Sequence, residues 1–167
     1  MKHLIDQSVR HVPNILSQQD QRNQDYKIAY RTMPLPDAQF LQITSTLKAS
    51  NETFITPSLA YASMYTGVTM EMKFRLGTII GLYSIGVTDQ SSAKYFPRLP
   101  SVSSVQDWRK SNAIFDLKGK CNPYVFNKTV ATNIGLGSQN GGAMRFINSG
   151  RIIGARPVLR MPEIRLK

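Results

Sequence analysis

Residue types that carry most enzyme chemistry are sparse in this 167-residue chain. Its two histidines, His3 and His11, precede a polar stretch, whereas a hydrolase triad needs a histidine that the folded scaffold holds in place. The single cysteine, Cys121, has no such histidine to activate its thiol, and it cannot form an intrachain disulfide. Together these side chains fall short of the ligand set of a structural zinc. We therefore predict no enzymatic activity, no metal site and no cofactor.

A glycine-rich stretch at residues 135–142 (GLGSQNGG) invites comparison with a phosphate-binding loop. Asn140 stands where the third glycine of such a motif belongs, and no Lys-Ser/Thr pair follows. Residues Ala143–Asn148 also have the composition of a strand, whereas a phosphate-binding loop leads into a helix. Because Asn140-Gly141 is a strong hairpin-turn signal, we predict a flexible loop between two strands.

Positive charge is the strongest functional signal in the chain, whose net charge is +11. Residues 1–93 hold 8 basic and 7 acidic side chains, whereas residues 94–167 hold 13 basic and 3 acidic ones. An excess of this size predicts a nucleic-acid partner for the second half of the chain. A membrane surface is not predicted, because no basic amphipathic helix is evident. The residues predicted to contact phosphates are Arg109, Lys110, Lys118, Lys120, Arg151, Arg156 and Arg160.

Aromatic residues alternate with some of these cations between residues 108 and 128. Such interleaving occurs where bases stack on rings while cations hold phosphates. It also follows from a simple strand alternation that turns rings inward and lysines outward. Both interpretations stay open for Trp108, Phe115, Tyr124 and Phe126.

The elements that must position these side chains read as strands. Val68–Leu76 alternates apolar and polar residues over nine positions, which predicts a strand with one face in a core. Further short segments bounded by turn residues bring the total to about eight strands. They are Tyr26–Thr32, Phe40–Lys48, Ile79–Val87, Asn112–Lys118, Tyr124–Thr132, Ala143–Asn148 and Ile152–Leu159. Since no long helical pattern separates them, we predict an all-β antiparallel sandwich or barrel.

The N-terminal part reads differently from the body. Residues 1–16 could form a short helix, and residues 17–25 contain no apolar side chain, so we predict an arm and linker over 1–25 and a folded body over 26–167. No apolar run is long enough to span a bilayer, and the start lacks the apolar core of a signal peptide. We therefore expect a chain made inside the cell.

This order of features resembles the coat proteins of very small viruses, which are circovirus-like or satellite-virus-like and use one eight-stranded jelly roll. The matching features are the polar arm, the strand Val68–Leu76, the aromatic and basic stretch Trp108–Phe126, the glycine-rich loop and the Arg-rich end Arg151–Lys167. The resemblance implies an icosahedral shell of identical subunits, located in the virion, that neutralises packaged nucleic acid through phosphate contacts. Because the arm holds few cations, the basic residues of the body would supply that charge.

Two other functions fit the same pattern. A β-barrel of the OB type would bind single-stranded nucleic acid without forming a shell, and particle size distinguishes it from a coat protein. A jelly-roll carbohydrate-binding module would leave the charge incidental, and a glycan interaction that salt does not weaken would favour it.

Overall fold

Two sheets and several short helices make up the structure, a computed structural model that describes residues 27–50, 52–104, 107–118 and 131–159. Of Lys118 and Ala131 only the backbone is described. In chain order the elements are β1 (Ile28–Met33), α1 (Leu35–Thr44), β2 (Phe54–Ile55), α2 (Leu59–Ala62), β3 (Val68–Phe74), α3 (Thr78–Ser84), β4 (Gly86–Val87), two 3-10 helices (Ala93–Tyr95 and Val102–Ser104), α4 (Trp108–Ser111), β5 (Ala113–Lys118), β6 (Ala131–Gly135), α5 (Gly142–Ile147) and β7 (Ile152–Pro157).

The first sheet has the strand order β1-β3-β7, and both pairings are antiparallel. Its central strand β3 confirms the predicted strand at Val68–Leu76, with Met70, Met72 and Phe74 buried in the core. The pairing ends earlier than the alternation does, because β3 stops at Phe74 and Leu76 is 66% exposed in the turn that follows.

The second sheet has the strand order β2-β6-β5-β4, and its last pair, β4 with β5, is parallel. The side chains of Phe115 on β5 and Ile134 on β6 are 1% and 0% exposed. They join one continuous core with residues of the first sheet and of helices α1, α3 and α5. This single core fixes the two sheets against each other.

The predicted all-β jelly roll is wrong, because the described residues form a mixed α/β fold. Three predicted strands are largely helical: Phe40–Lys48 overlaps α1, Ile79–Val87 is α3 followed by the short β4, and Ala143–Asn148 overlaps α5. Each helix buries residues three or four positions apart, such as Leu82 and Ile79 on α3 or Met144 and Ile147 on α5. That spacing places them on one helical face, so packing of this face outweighs the strand-like composition.

Other expectations fare better. Strands are confirmed at Tyr26–Thr32, Asn112–Lys118 and Ile152–Leu159, where β1, β5 and β7 lie. Most of Tyr124–Thr132 and the whole N-terminal arm and linker lie outside the described residues, so the division at residue 26 stays a prediction. No helix among the described residues has the length and hydropathy needed to cross a bilayer.

A buried polar cluster closes the β4 end of the second sheet. Thr88 donates a hydrogen bond to the carbonyl oxygen of Phe115 at 2.7 Å, and Ser92 accepts one from the amide of Leu117 at 3.0 Å. Burial taken alone raises the pKa of the Asp89 carboxyl. Hydrogen bonds from the Ser91 hydroxyl and the Ser92 amide outweigh burial, and the pKa lies below its usual value.

Acid should therefore destabilise the protein partly through Asp89. Because its folded pKa lies below the unfolded value of about 3.9, its contribution is present above about pH 4 and is lost as pH falls through the folded pKa. We expect Asp89→Asn to lose less free energy of unfolding than wild type between about pH 5 and about pH 2. Urea unfolding at each pH measures this. Equal losses in both proteins would assign the acid sensitivity to other carboxylates.

Candidate ligand site

A cleft opens where the two sheets meet. Among the described residues one backbone bridge joins them: the amide of Tyr30 donates to the carbonyl oxygen of Thr56 at 2.7 Å, and the amide of Thr56 donates back at 3.0 Å. Beside this bridge lies a cavity of about 200 Å³. We call it the junction cleft; its lining consists of Tyr30, Arg31, Thr32, Glu52, Phe54, Thr56, Tyr61, Ala62, Tyr65 and Asn133.

Arg31 is the unusual residue of the junction cleft. It occupies the position on β1 between Ala29 and Met33, which are 0% and 3% exposed, and it lies opposite Met70 of β3. Since side chains alternate along a strand, Arg31 shares the core-facing side of the first sheet. Arg31 is half-buried there, and partial burial of a cation is unfavourable unless partners or a function compensate for it.

The protein partners of Arg31 are neutral. One Nη donates to the carbonyl oxygen of Phe54 at 3.1 Å and the other donates to the hydroxyl of Ser50 at 3.1 Å. Burial lowers the pKa of the guanidinium, and the carboxylate of Asp37 partly offsets that effect. Among the described residues, no Asp or Glu side chain forms an ion pair with Arg31. The guanidinium stays charged at neutral pH and keeps donors that an anion can occupy.

Two tyrosines line the junction cleft together with Arg31. Tyr61 and Tyr65 lie 5.7 Å apart between ring centroids at an angle of 82°, and their hydroxyls share a hydrogen bond of 3.0 Å. Burial and that hydrogen bond raise the pKa of Tyr61, so its hydroxyl stays neutral. Helix α2 is positioned by Ser58, which caps its start, and by Thr32, which donates to the Ala62 oxygen at 2.6 Å. The junction cleft thus combines a cation with aromatic rings and neutral hydroxyls.

The residues predicted to contact phosphates lie on separate elements. Arg109 and Lys110 are exposed on α4, where Arg109 stacks on Trp108 at 4.9 Å and Lys110 is 3.7 Å from the Asp107 carboxylate. Arg156 lies in β7 of the first sheet, and Arg151 directly precedes that strand. Lys120 and Arg160 lie outside the described residues, as does the side chain of Lys118.

The side chains of Arg151 and Arg156 both bind to other residues of the protein. Arg156 forms an ion pair of 2.6 Å with Glu71. Arg151 donates to the hydroxyl of Thr78 at 2.9 Å and to the carbonyl oxygen of Leu76 at 3.1 Å, which holds the turn before α3. Whether any of the predicted residues contacts phosphate stays a prediction.

The glycine-rich loop connects a strand to a helix, not two strands, so the predicted hairpin is wrong. Its glycines are explained by close packing against α4. A Cβ on Gly137 or Gly141 would lie 2.5 or 2.4 Å from the carbonyl oxygen of Arg109, and the Ser138 amide donates to that same oxygen at 3.1 Å. The glycine-rich loop therefore packs closely against the backbone of α4.

We expect Gly137→Ala to destabilise the protein by more than about 1 kcal/mol, because it combines a left-handed φ of 75° with the clash against Arg109. Gly150→Ala is the matched control, since Gly150 has a φ of 88° but no heavy atom within 4 Å of an added Cβ. Chemical denaturation of both variants separates the backbone penalty from the contact. Equal losses would show that the contact with α4 contributes nothing.

Comparison with known families decides the relationship of the chain. A family model described as the PT3 toxin domain matches residues 25–154, which is more than half of the sequence. The chain belongs to the PT3 toxin domain family. A search of curated proteins found no match.

This membership overturns the viral interpretation. The resemblance to small-virus coat proteins is wrong, and with it the icosahedral shell, the virion location and the packaging function. Size, charge and a polar arm are shared by unrelated proteins, so their agreement did not identify a family. Neither the OB-type barrel nor the carbohydrate-binding module gains support from the family match or from the mixed α/β fold of the PT3 toxin domain.

Arg31 is the functional candidate that sequence reasoning missed in this PT3 toxin domain. Part of the signal was present, because a strand at this position places Arg31 on the same side as Ala29 and Met33, although Ile28 and Tyr30 make the other side equally apolar. A cation on the apolar face of a predicted strand marks a candidate site. Tyr61 and Tyr65 could not be assigned to it in advance, because only the folded chain brings α2 to β1.

Proposed function

We propose that this PT3 toxin domain acts in its target cell by binding a nucleotide-like ligand in the junction cleft. The observation that supports this most directly is Arg31, a core-side cation with no ion-pair partner among the described residues. Guanidinium groups bind phosphates through paired hydrogen bonds, and those bonds strengthen where water is excluded.

The rest of the junction cleft narrows the class of ligand. The rings of Phe54, Tyr61 and Tyr65 offer aromatic surface, and the exposed carboxylate of Glu52 at the rim can accept hydrogen bonds from sugar hydroxyls. The cavity of about 200 Å³ is smaller than the roughly 300–1,000 Å³ usual for complete small-molecule sites. A phosphate with one neighbouring group would fill it, and the rest of the ligand would extend outward.

Controlled expression in a bacterial host tests the toxin function, and calorimetry with ADP and inorganic pyrophosphate tests the site. We expect wild type to arrest growth and to bind both probes, and Arg31→Gln to do neither. Arg145→Gln is the control, because Arg145 is exposed on α5 and does not line the junction cleft. Growth arrest by folded Arg31→Gln, or no binding of either probe by wild type, would overturn the proposal.

Absence of catalysis stays a prediction of the sequence. Among the described residues, no group of three His, Cys, Asp or Glu side chains is placed to hold a metal ion. Chromatography of ADP after prolonged incubation with the wild-type protein tests the prediction. Quantitative recovery of ADP agrees with it, and turnover that Arg31→Gln abolishes would replace it with an enzymatic function at the same site.

Nucleic acid and further copies of the chain also stay predicted partners. The net charge of +11 predicts that retention on immobilised DNA or RNA weakens steeply as salt rises. Replacing Arg109 and Lys110 by Gln should reduce the slope of log affinity against log salt by about 2, if each contacts one phosphate. Gel filtration with light scattering reports self-association. An unchanged salt slope would remove α4 from the nucleic-acid contact.

A further inference from the structure

A second, smaller recess adjoins the junction cleft. It measures about 40 Å³ and is lined by Glu52, Thr53, Phe54, Trp108, Arg109 and Gly137. Glu52 and Phe54 line both cavities, so the two are neighbours on the surface. We call this second cavity the Trp108 recess.

Gly135 of β6 packs against Phe54 and Trp108, two aromatic residues of the Trp108 recess. A Cβ on this residue would lie 2.8 Å from a ring carbon of Phe54 and 3.2 Å from a ring carbon of Trp108. Both distances are shorter than ordinary contacts between carbon atoms. The missing side chain therefore lets both rings pack against the backbone of β6. Phe54 and Trp108 both line the Trp108 recess, and Phe54 also lines the junction cleft.

Each of the two cavities is lined by one arginine. The Arg109 guanidinium carbon lies 4.9 Å from the Trp108 ring centre, and the Arg109 side chain is exposed. Arg31 lines the junction cleft together with Phe54, Tyr61 and Tyr65. Each cavity thus pairs an arginine with aromatic rings, the combination that binds a phosphate and stacks a base.

We infer that the ligand of the junction cleft is a dinucleotide whose second base stacks on Trp108. This inference rests on the proposed function. The two phosphates lie between Arg31 and Arg109, and the first base lies against Tyr61. Glu52 accepts hydrogen bonds from the hydroxyls of a ribose. Because the Trp108 recess is too small to enclose a base, the second ring lies over the indole at the surface.

Trp108 is the only tryptophan of the chain, so its fluorescence reports this site without labelling. The probes are diadenosine pyrophosphate and NAD+ as dinucleotides, with ADP and inorganic pyrophosphate as shorter controls. We expect both dinucleotides to quench the fluorescence and to bind about tenfold more tightly than ADP. ADP should leave the fluorescence unchanged, since its one ring occupies the junction cleft.

Variants separate the inference from the function on which it rests. Trp108→Leu should abolish most of the tenfold preference for dinucleotides, Trp108→Phe should restore part of it, and Arg145→Gln should leave it intact. If ADP binding depends on Arg31 but dinucleotides bind no more tightly than ADP, the dinucleotide inference is wrong and the proposed function still stands. Quenching by ADP would also overturn it, because a single ring would then reach Trp108. No binding of any probe by folded wild type would overturn the proposed function itself.

Discussion

Replacing Arg31 by Gln is expected to weaken binding of ADP and pyrophosphate about 10- to 100-fold, which corresponds to losing charge-assisted hydrogen bonds worth about 1.5–3 kcal/mol. The loss is large because the guanidinium lies on the core side of β1 and its described hydrogen-bond acceptors, the Phe54 carbonyl and the Ser50 hydroxyl, are neutral. Isothermal titration of wild type and variant measures it directly.

Arg31→Lys sharpens this test. Lysine keeps the charge but loses the planar fork, so an intermediate loss of affinity shows that paired hydrogen bonds contribute beyond the charge. Thermal unfolding of each variant must accompany the titration, because Arg31 also ties β1 to the Phe54 carbonyl. Unchanged affinity in well-folded Arg31→Gln, measured beside Arg145→Gln, would place the anion site elsewhere.

Phe115→Ala should be the most destabilising single substitution that we consider, with a loss of about 3–5 kcal/mol. Phe115 is 1% exposed on β5, its ring centre lies 5.2 Å from that of Tyr83 and 6.0 Å from that of Phe96, and removing it leaves a cavity at the centre of the core. Domains of this kind are stable by about 5–15 kcal/mol in total, so the variant should approach global unfolding at ambient temperature.

Phe40→Ala removes the same atoms from a different environment and serves as the control. Phe40 is half-buried on α1, where the amine of Lys48 lies 5.0 Å from its ring centre. A loss below about 2 kcal/mol is expected there, because little cavity forms at a surface. Urea unfolding gives both values. Comparable losses would mean that the interior around Phe115 collapses to fill the cavity.

How far the sequence predicts the fold differs from element to element. Strand β3 is predictable because its four apolar residues alternate with polar ones without interruption. Helix α1 is not, because Phe40, Leu41 and Ile43 have strand-like composition, and only the burial of Ala38 and Leu41 on one face distinguishes a helix. The early Pro36 was an available signal, since proline is tolerated in the first turn of a helix.

The candidate site was predicted in part only. Arg109 follows from the charge excess in the second half of the chain, although its proximity to Phe54 does not. Arg31 lies in the half whose net charge is nearly zero, so a count of charges passes over it. Its importance depends on which side of β1 it occupies, and on the joining of β1 to β2 by long-range contacts that no local pattern contains.

Arg31 has a structural role as well as donors that a ligand could use. The two backbone hydrogen bonds between Tyr30 and Thr56 join the sheets, and the bond from Arg31 to the Phe54 carbonyl adds a side-chain link from β1 to β2. The shared core holds the two sheets in place around this link. Under the proposed function, an anion in the junction cleft would therefore bind a side chain that the fold has already positioned.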